Sequence, residues 1–112
     1  MTGEGRSDQL FHALADATRR DIVAVTLQDE QSVSALARRY PMSFAAVQKH
    51  VAVLERVGLV TKRRQGREQL VSGNVESLRD VRRSLDALEA VWRSRIERFG
   101  EVLAETEQGE PT

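Results

Sequence analysis

Residues 42–71, "MSFAAVQKHVAVLERVGLVTKRRQGREQLV", set an apolar helical stripe, a glycine stop and a basic hairpin in succession, and that order narrows the folds open to the chain. Ser43 offers a side-chain oxygen to the free backbone N–H groups at the start of a helix. Val47, Val51 and Leu54 then recur at i, i+4 and i+7, so one side of the helix has to be covered. Gly58 follows the last turn, where a left-handed residue ends a helix without a Cβ penalty. Ser43, Ala45, Ala46, Gln48, Lys49 and Ala52 lie elsewhere on the helix, and several are small enough to let its backbone approach a partner closely. Leu59, Val60 and Thr61 lead into a polar cluster, Gln65-Gly66 reads as a two-residue turn, and Leu70 and Val71 close the return strand. The hairpin tip is expected to hold Arg63, Arg64 and Arg67 in solvent. Two strands alone are marginal in water, so this hairpin must lean on helices.

The flanking segments complete one domain, as expected for 112 residues. Residues 1–6 read as a disordered leader, 7–104 as the folded domain and 105–112 as a flexible acidic tail. "SDQLFHALAD" reads as a short helix with Leu10, Phe11, Leu14 and Ala15 on one side. Asp16 is placed to cap "ATRRDIVAVTLQ". Its β-branched "IVAVT" would suit a strand, but Ile22, Val25 and Thr26 at 3–4 spacing favour helix. "DEQS" reads as a loop, and Ser32 or Ser34 caps a short helix ending near Tyr40, where Pro41 forbids smooth continuation. Asn74 opens a final helix of about thirty residues. In it Val75, Leu78, Val81 or Arg82, Leu85, Leu88, Trp92, Ile96, Phe99 and Leu103 keep a near-heptad rhythm. The rest of so small a domain cannot cover that stripe, and a second copy is its expected partner, with Trp92 an interface anchor.

Net charge is zero but unevenly spread. Residues 36–67 carry eight Lys and Arg against one acid, Glu55, which gives +7, and the remainder carries nine bases against sixteen acids, or −7. Such asymmetry points to a polyanion partner for the middle of the chain. Two helices around a Pro-containing turn, followed by a basic hairpin, form a helix-turn-helix with a wing. The expected fold is therefore mainly α with a small β-hairpin wing. Its second helix fits the major groove of double-stranded DNA, where base edges carry a unique donor and acceptor pattern. Gln48 suits adenine, and Lys49 suits guanine or phosphate. Ser43, Phe44 and Ala45 stand where helix N–H groups meet a phosphate, although Ser43 is equally placed to cap. His50 would contact phosphate or pack against the wing, and His12 would serve an interface or the core. Lys62, Arg63, Arg64 and Arg67 are the wing's phosphate or minor-groove candidates. Arg38 and Arg39 would contact phosphates or solvate a helix end.

Other functions find little footing. No cysteine is present, so thiolate metal sites, disulfides and thiol redox chemistry are out. Neither a Gly-rich phosphate loop nor a nucleophile elbow appears, the two histidines are isolated, and an enzyme is not expected. No cofactor or metal is expected. The apolar runs are too short to span a bilayer, and "MTGEGRSD" lacks the apolar core of a signal peptide, so a cytoplasmic location is expected.

"HALADATRRDIV", "SVSALARRYPMSFAAVQKHVAVLERVGLVTKRRQGREQLV" and the long closing helix resemble the ArsR winged-helix transcription regulators over roughly residues 8–100. "QKHVAVLERVGLV" followed by a basic hairpin is the most specific part; Ala17 stands where many relatives have Pro. The resemblance implies a homodimer joined through its first and last helices. Leu10, Phe11 and Leu14 would then face Leu85, Leu88, Trp92, Ile96 and Phe99 across the interface. It also implies a repressor that occupies a pseudo-palindromic operator, and autoregulation is one form of that role. Many members release DNA on binding metal. However, "SVSALARRY" lacks the cysteines of one family site, and "NVESLRDVRRSLDALEAVWRSRIERF" lacks the His of another. The resemblance therefore runs to the non-metal-sensing branch. Two alternatives share the scaffold: a protein-interaction module whose basic strip meets an acidic protein, and a regulator gated by an unidentified small-molecule effector.

Overall fold

The computed structural model describes residues 3–109. The elements run α1 (Gly3–Leu14), α2 (Ala17–Gln28), β1 (Gln31–Ser32), α3 (Val33–Ala37), α4 (Phe44–Arg56), β2 (Val60–Gln65), β3 (Glu68–Gly73) and α5 (Val75–Gly109). They divide into two compact units, Met1–Val81 and Arg82–Thr112. The first is a winged helix-turn-helix, mainly α with a small antiparallel sheet; the second is the remainder of α5.

Helices α2 to α5 each start on a side-chain cap. Asp16 Oδ1 accepts from the backbone N–H of Arg19 at 3.0 Å, Ser32 Oγ from that of Ala35 at 3.0 Å, and Ser43 Oγ from that of Ala46 at 3.1 Å. The backbone bond to Arg19 holds the Asp16 carboxyl below its ordinary range. Asn74 Oδ1 accepts from the Glu76 N–H at 3.1 Å to open α5. The β-branched run of α2 is helical, and its Thr26 is buried there because its hydroxyl donates to the Ile22 carbonyl at 2.7 Å.

Gly58, at φ 81°, ends α4 in a Schellman motif. Its N–H donates to the Glu55 carbonyl at 3.0 Å, and the Leu59 N–H donates to the Leu54 carbonyl at 2.9 Å. A Cβ here would lie 3.4 Å from Ser77 Oγ, so the obstacle to alanine is the backbone conformation. Gly58→Ala should therefore destabilise the fold by about 1–2 kcal/mol. An unchanged urea midpoint would contradict this account of the helix stop.

The sheet has the order β1-β3-β2, all antiparallel. The third strand, β1, lies in the expected "DEQS" loop, where Gln31 and Ser32 pair with Val71 and Leu70. The hairpin therefore has sheet support as well as helices behind it. The turn falls one residue later than expected: Gln65 pairs with Glu68, which leaves Gly66 and Arg67 as the two loop residues. Gly66 has φ 63° and among the described residues no non-glycine is left-handed, a pattern matching a type II′ turn. Arg63 is consequently not at the tip; it sits within β2 opposite Leu70.

The core lies in the first unit. Leu10, Ile22, Leu36, Val47, Val51, Leu54, Leu59, Val60 and Val71 are all under 2% exposed. The stripe Val47, Val51 and Leu54 is thus covered as its spacing required. Leu10, expected at a dimer interface, is at 1% exposure a member of this core instead.

Both chain ends are more helical than expected. Helix α1 begins at Gly3, so residues 3–6 of the expected leader belong to it. Arg6 ties α1 down: its Nη1 donates to the Val57 carbonyl at 3.2 Å, and its Nη2 reaches Ser77 Oγ at 3.3 Å and Asp80 at 3.4 Å. Helix α5 runs to Gly109, so residues 105–109 of the expected tail are helical, and 110–112 lie outside the described residues, as do 1–2. No helix among the described residues is long and apolar enough to cross a membrane.

Candidate nucleic-acid interface

The Ser43 cap and the Gly58 stop fix the length of α4, and its buried stripe fixes its rotation. With Val47, Val51 and Leu54 inward, the helical period turns Ala45 and Lys49 outward, and both are exposed. Gln48 and Phe44 lie one turn apart and are also exposed; Phe44 keeps 47% of its surface in solvent.

The α3–α4 turn is tied to α2 by Tyr40, whose hydroxyl donates to Asp21 Oδ2 at 2.6 Å. Burial and that neighbouring carboxylate push the phenol up to about 12. Arg19 fastens α2 to both neighbours. Its Nε donates to the Ala13 carbonyl at 2.6 Å and its Nη2 to the His12 carbonyl at 3.1 Å, and its Nη1 faces His50 Nδ1 at 3.4 Å. This places the half-buried His50 against α2, on the flank of α4 away from the wing, which corrects the expectation that it packs on the wing. His12 is exposed, in a cleft of about 350 Å³ with Asp8, Gln9 and Arg56, and is not a core residue. Arg19 carried no motif that would single it out; its value lies in carbonyls left open at the end of α1, which become visible only once that helix has an end.

Helix and wing converge. A cleft of about 200 Å³ is lined by Phe44 and Gln48 of α4, Arg67 of the turn, Glu68 and Gln69 of β3, and Val33 and Ser34 of α3. Lys62 Nζ lies 3.3 Å from Glu55, which joins β2 to α4. The wing's cations fall into two sets. Lys62 is paired with Glu55, and Arg63 is paired through two nitrogens with Glu30. Arg63, with Ser72 beside it, holds the Glu30 carboxyl below its ordinary range. Among the described residues no acid is paired with Lys49, Arg64 or Arg67. Arg38 and Arg39 are exposed just after α3. The +7 segment of the sequence thus becomes a surface on which helix and wing turn share a cleft.

Of the residues expected to join two copies, Phe11 is 37% exposed and Leu14 half-buried. In the second unit Leu85, Leu88, Trp92, Ile96 and Phe99 are each 51–65% exposed. Val91 and Val102, outside the expected stripe, are also exposed.

A helix-turn-helix domain model matches residues 14–63, which span the end of α1 to the start of the wing. The chain is 36% identical over 84 residues to the HTH-type transcriptional regulator YuzN of Bacillus subtilis, covering 69% of this chain and 91% of that one. The structure of an ArsR-like transcriptional regulator from Rhodococcus sp. RHA1 superposes with a TM-score of 0.77 at 31% identity, covering 88% of this chain and 93% of that one. The homodimeric winged helix-turn-helix DNA-binding domain of Mb0332 from Mycobacterium bovis is similar at 26% identity and a TM-score of 0.60, covering 80% of each. The first two of these relatives are transcriptional regulators, and the third is a DNA-binding domain. On its fold, its basic wing and these likenesses, the chain belongs to the ArsR family of winged helix-turn-helix transcriptional regulators.

Proposed function

We propose that the protein is a homodimeric repressor that binds a pseudo-palindromic operator and responds to no metal. The observation that carries the reading is the shared cleft of Gln48 on α4 and Arg67 on the wing turn. It brings a base-reading side chain and a phosphate-binding side chain to one surface. Lys49, Arg64 and Arg67 are the phosphate contacts, and Arg38 and Arg39 extend that contact along the backbone. Ala45 lets α4 approach the major groove, and Gln48 reads a base edge there. The exposed stripe of α5 and the homodimeric state of the Mb0332 domain support a dimer of this chain. Two-fold symmetry then sets half-sites about 34–36 Å apart, or a multiple of that. A cytoplasmic location goes with this reading.

Selection from random duplexes, followed by protection of the DNA upstream of its own gene, tests this reading. The expected result is one inverted repeat in the selected pool, present and protected upstream of the gene. A pool with no consensus, bound no better than random duplex, would refute it. Gln48→Ala should change which bases are preferred at one position per half-site, by about 1–3 kcal/mol. A uniform loss on all duplexes would remove Gln48 from base reading. Release of operator DNA by zinc or another divalent metal would contradict the no-metal assignment.

A further inference from the structure

We propose that Arg63 positions the wing instead of touching DNA: the Glu30–Arg63–Ser72 cluster clamps the root of the hairpin, and Arg64 and Arg67 beyond it meet the phosphates. The proposal rests on the DNA-binding reading above. Arg63 Nε donates to Glu30 Oε2 at 3.0 Å and its Nη2 to Oε1 at 2.7 Å, a two-pronged pairing. Ser72 Oγ donates to the same Oε2 at 2.8 Å.

The register explains why these three meet. Arg63 lies opposite Leu70, and Ser72 is two residues further along β3, so both side chains leave the same face of the sheet. Glu30 immediately precedes Gln31, whose partner is Val71, and this brings it beside Ser72. The cluster therefore crosses all three strands from β2 to the loop before β1. Lys62, one residue before Arg63, leaves the opposite face and pairs with Glu55 of α4 at 3.3 Å. One bridge on each face fixes how the hairpin stands against the body of the domain. The Arg63 fork is engaged by a carboxylate, so contact with a phosphate would require it to leave Glu30 behind. Arg64 and Arg67 face no such requirement.

The test uses a duplex selected by the parent protein and affinity measured over a range of salt. Arg63→Gln and Glu30→Gln should each weaken binding, roughly fivefold for a pair of this exposure. The double variant should bind no worse than either single one. All three should keep the parent's salt slope, whereas Arg64→Gln should reduce it by about two for a dimer losing two contacts. Arg63→Lys should behave like Arg63→Gln, because an ammonium cannot form the fork. If Arg63 is a phosphate contact, Arg63→Gln will lower the slope as Arg64→Gln does, Arg63→Lys will bind like the parent, and Glu30→Gln will bind more tightly. Any of these would overturn the proposal. If the parent binds no duplex, the functional reading fails, and the clamp is then judged by hydrogen exchange of amides 60–73 in the free protein. Faster exchange in both single variants would support it, and unchanged exchange would overturn it.

Discussion

Affinity for a selected duplex should fall by roughly 10³–10⁵ between 50 and 200 mM salt, as expected for six to ten phosphates neutralised across a dimer. Each protomer of the proposed dimer offers Lys49, Arg64 and Arg67 with no paired acid among the described residues, and Arg38 and Arg39 are also exposed. Three contacts per protomer already reach the lower end of that range. Lys49→Ala and Arg64→Ala should each weaken binding and flatten the salt slope by about two, since a dimer loses the contact twice. Neither should move the unfolding midpoint by much, because both side chains are exposed and the one bond made by either, from Arg64 Nε to the Gly66 carbonyl at 3.3 Å, lies in solvent at the turn. A gel-shift titration of the parent and both variants over salt checks all of this together. Parent-like binding by both variants, or a slope near zero for the parent, would mean that the duplex docks elsewhere or not at all.

The parts of this surface that were legible in the sequence are those set by local rules. Val47, Val51 and Leu54 announced which way α4 faces, and Ser43 and Gly58 announced where it begins and ends. These signals act within one or two turns, so no knowledge of the rest of the fold is needed. Apart from the helical tail of α5, the misjudged features depend on contacts between residues far apart in sequence. Gln31 and Ser32 form a strand only because Leu70 and Val71 lie alongside them, and two residues carry no period to read. The turn moved to Gly66-Arg67 because strand register, not turn composition alone, sets the loop. Arg63 looked like a third tip cation until that register put it opposite Leu70 with Glu30 in reach, 33 residues away in the chain. His50 was likewise given its partner by Arg19, from a helix whose packing the sequence did not disclose. Arg6 shows the same limit at the N-terminus, where a polar, Gly-containing start hid a helix held by contacts 51 and 71 residues distant.

Leu88→Arg and Trp92→Arg should each convert a dimer to monomers and weaken duplex binding by about 10²–10⁴, the gain that linking two sites ordinarily gives. Leu88 is 65% and Trp92 55% exposed, beside Leu85, Ile96, Phe99 and Leu103 in the same unit, all at least half exposed. Fully burying one such side chain is worth about 1.5–3 kcal/mol, so a stripe of six is far more apolar surface than a solvated helix needs. Arg95 lies over the Trp92 ring at 5.7 Å, which covers one aromatic face without removing the stripe from water. An arginine in the stripe would place an unpaired charge where the partner copy must be dry, whereas in a lone protomer it would remain in solvent. The two variants should therefore keep the parent's helical content and unfolding behaviour at low concentration, while sedimentation shows half the mass. A variant that stays dimeric would place the interface off this stripe. A monomer that still binds as tightly as the parent would separate DNA recognition from two-fold symmetry, and the half-site spacing argument would go with it.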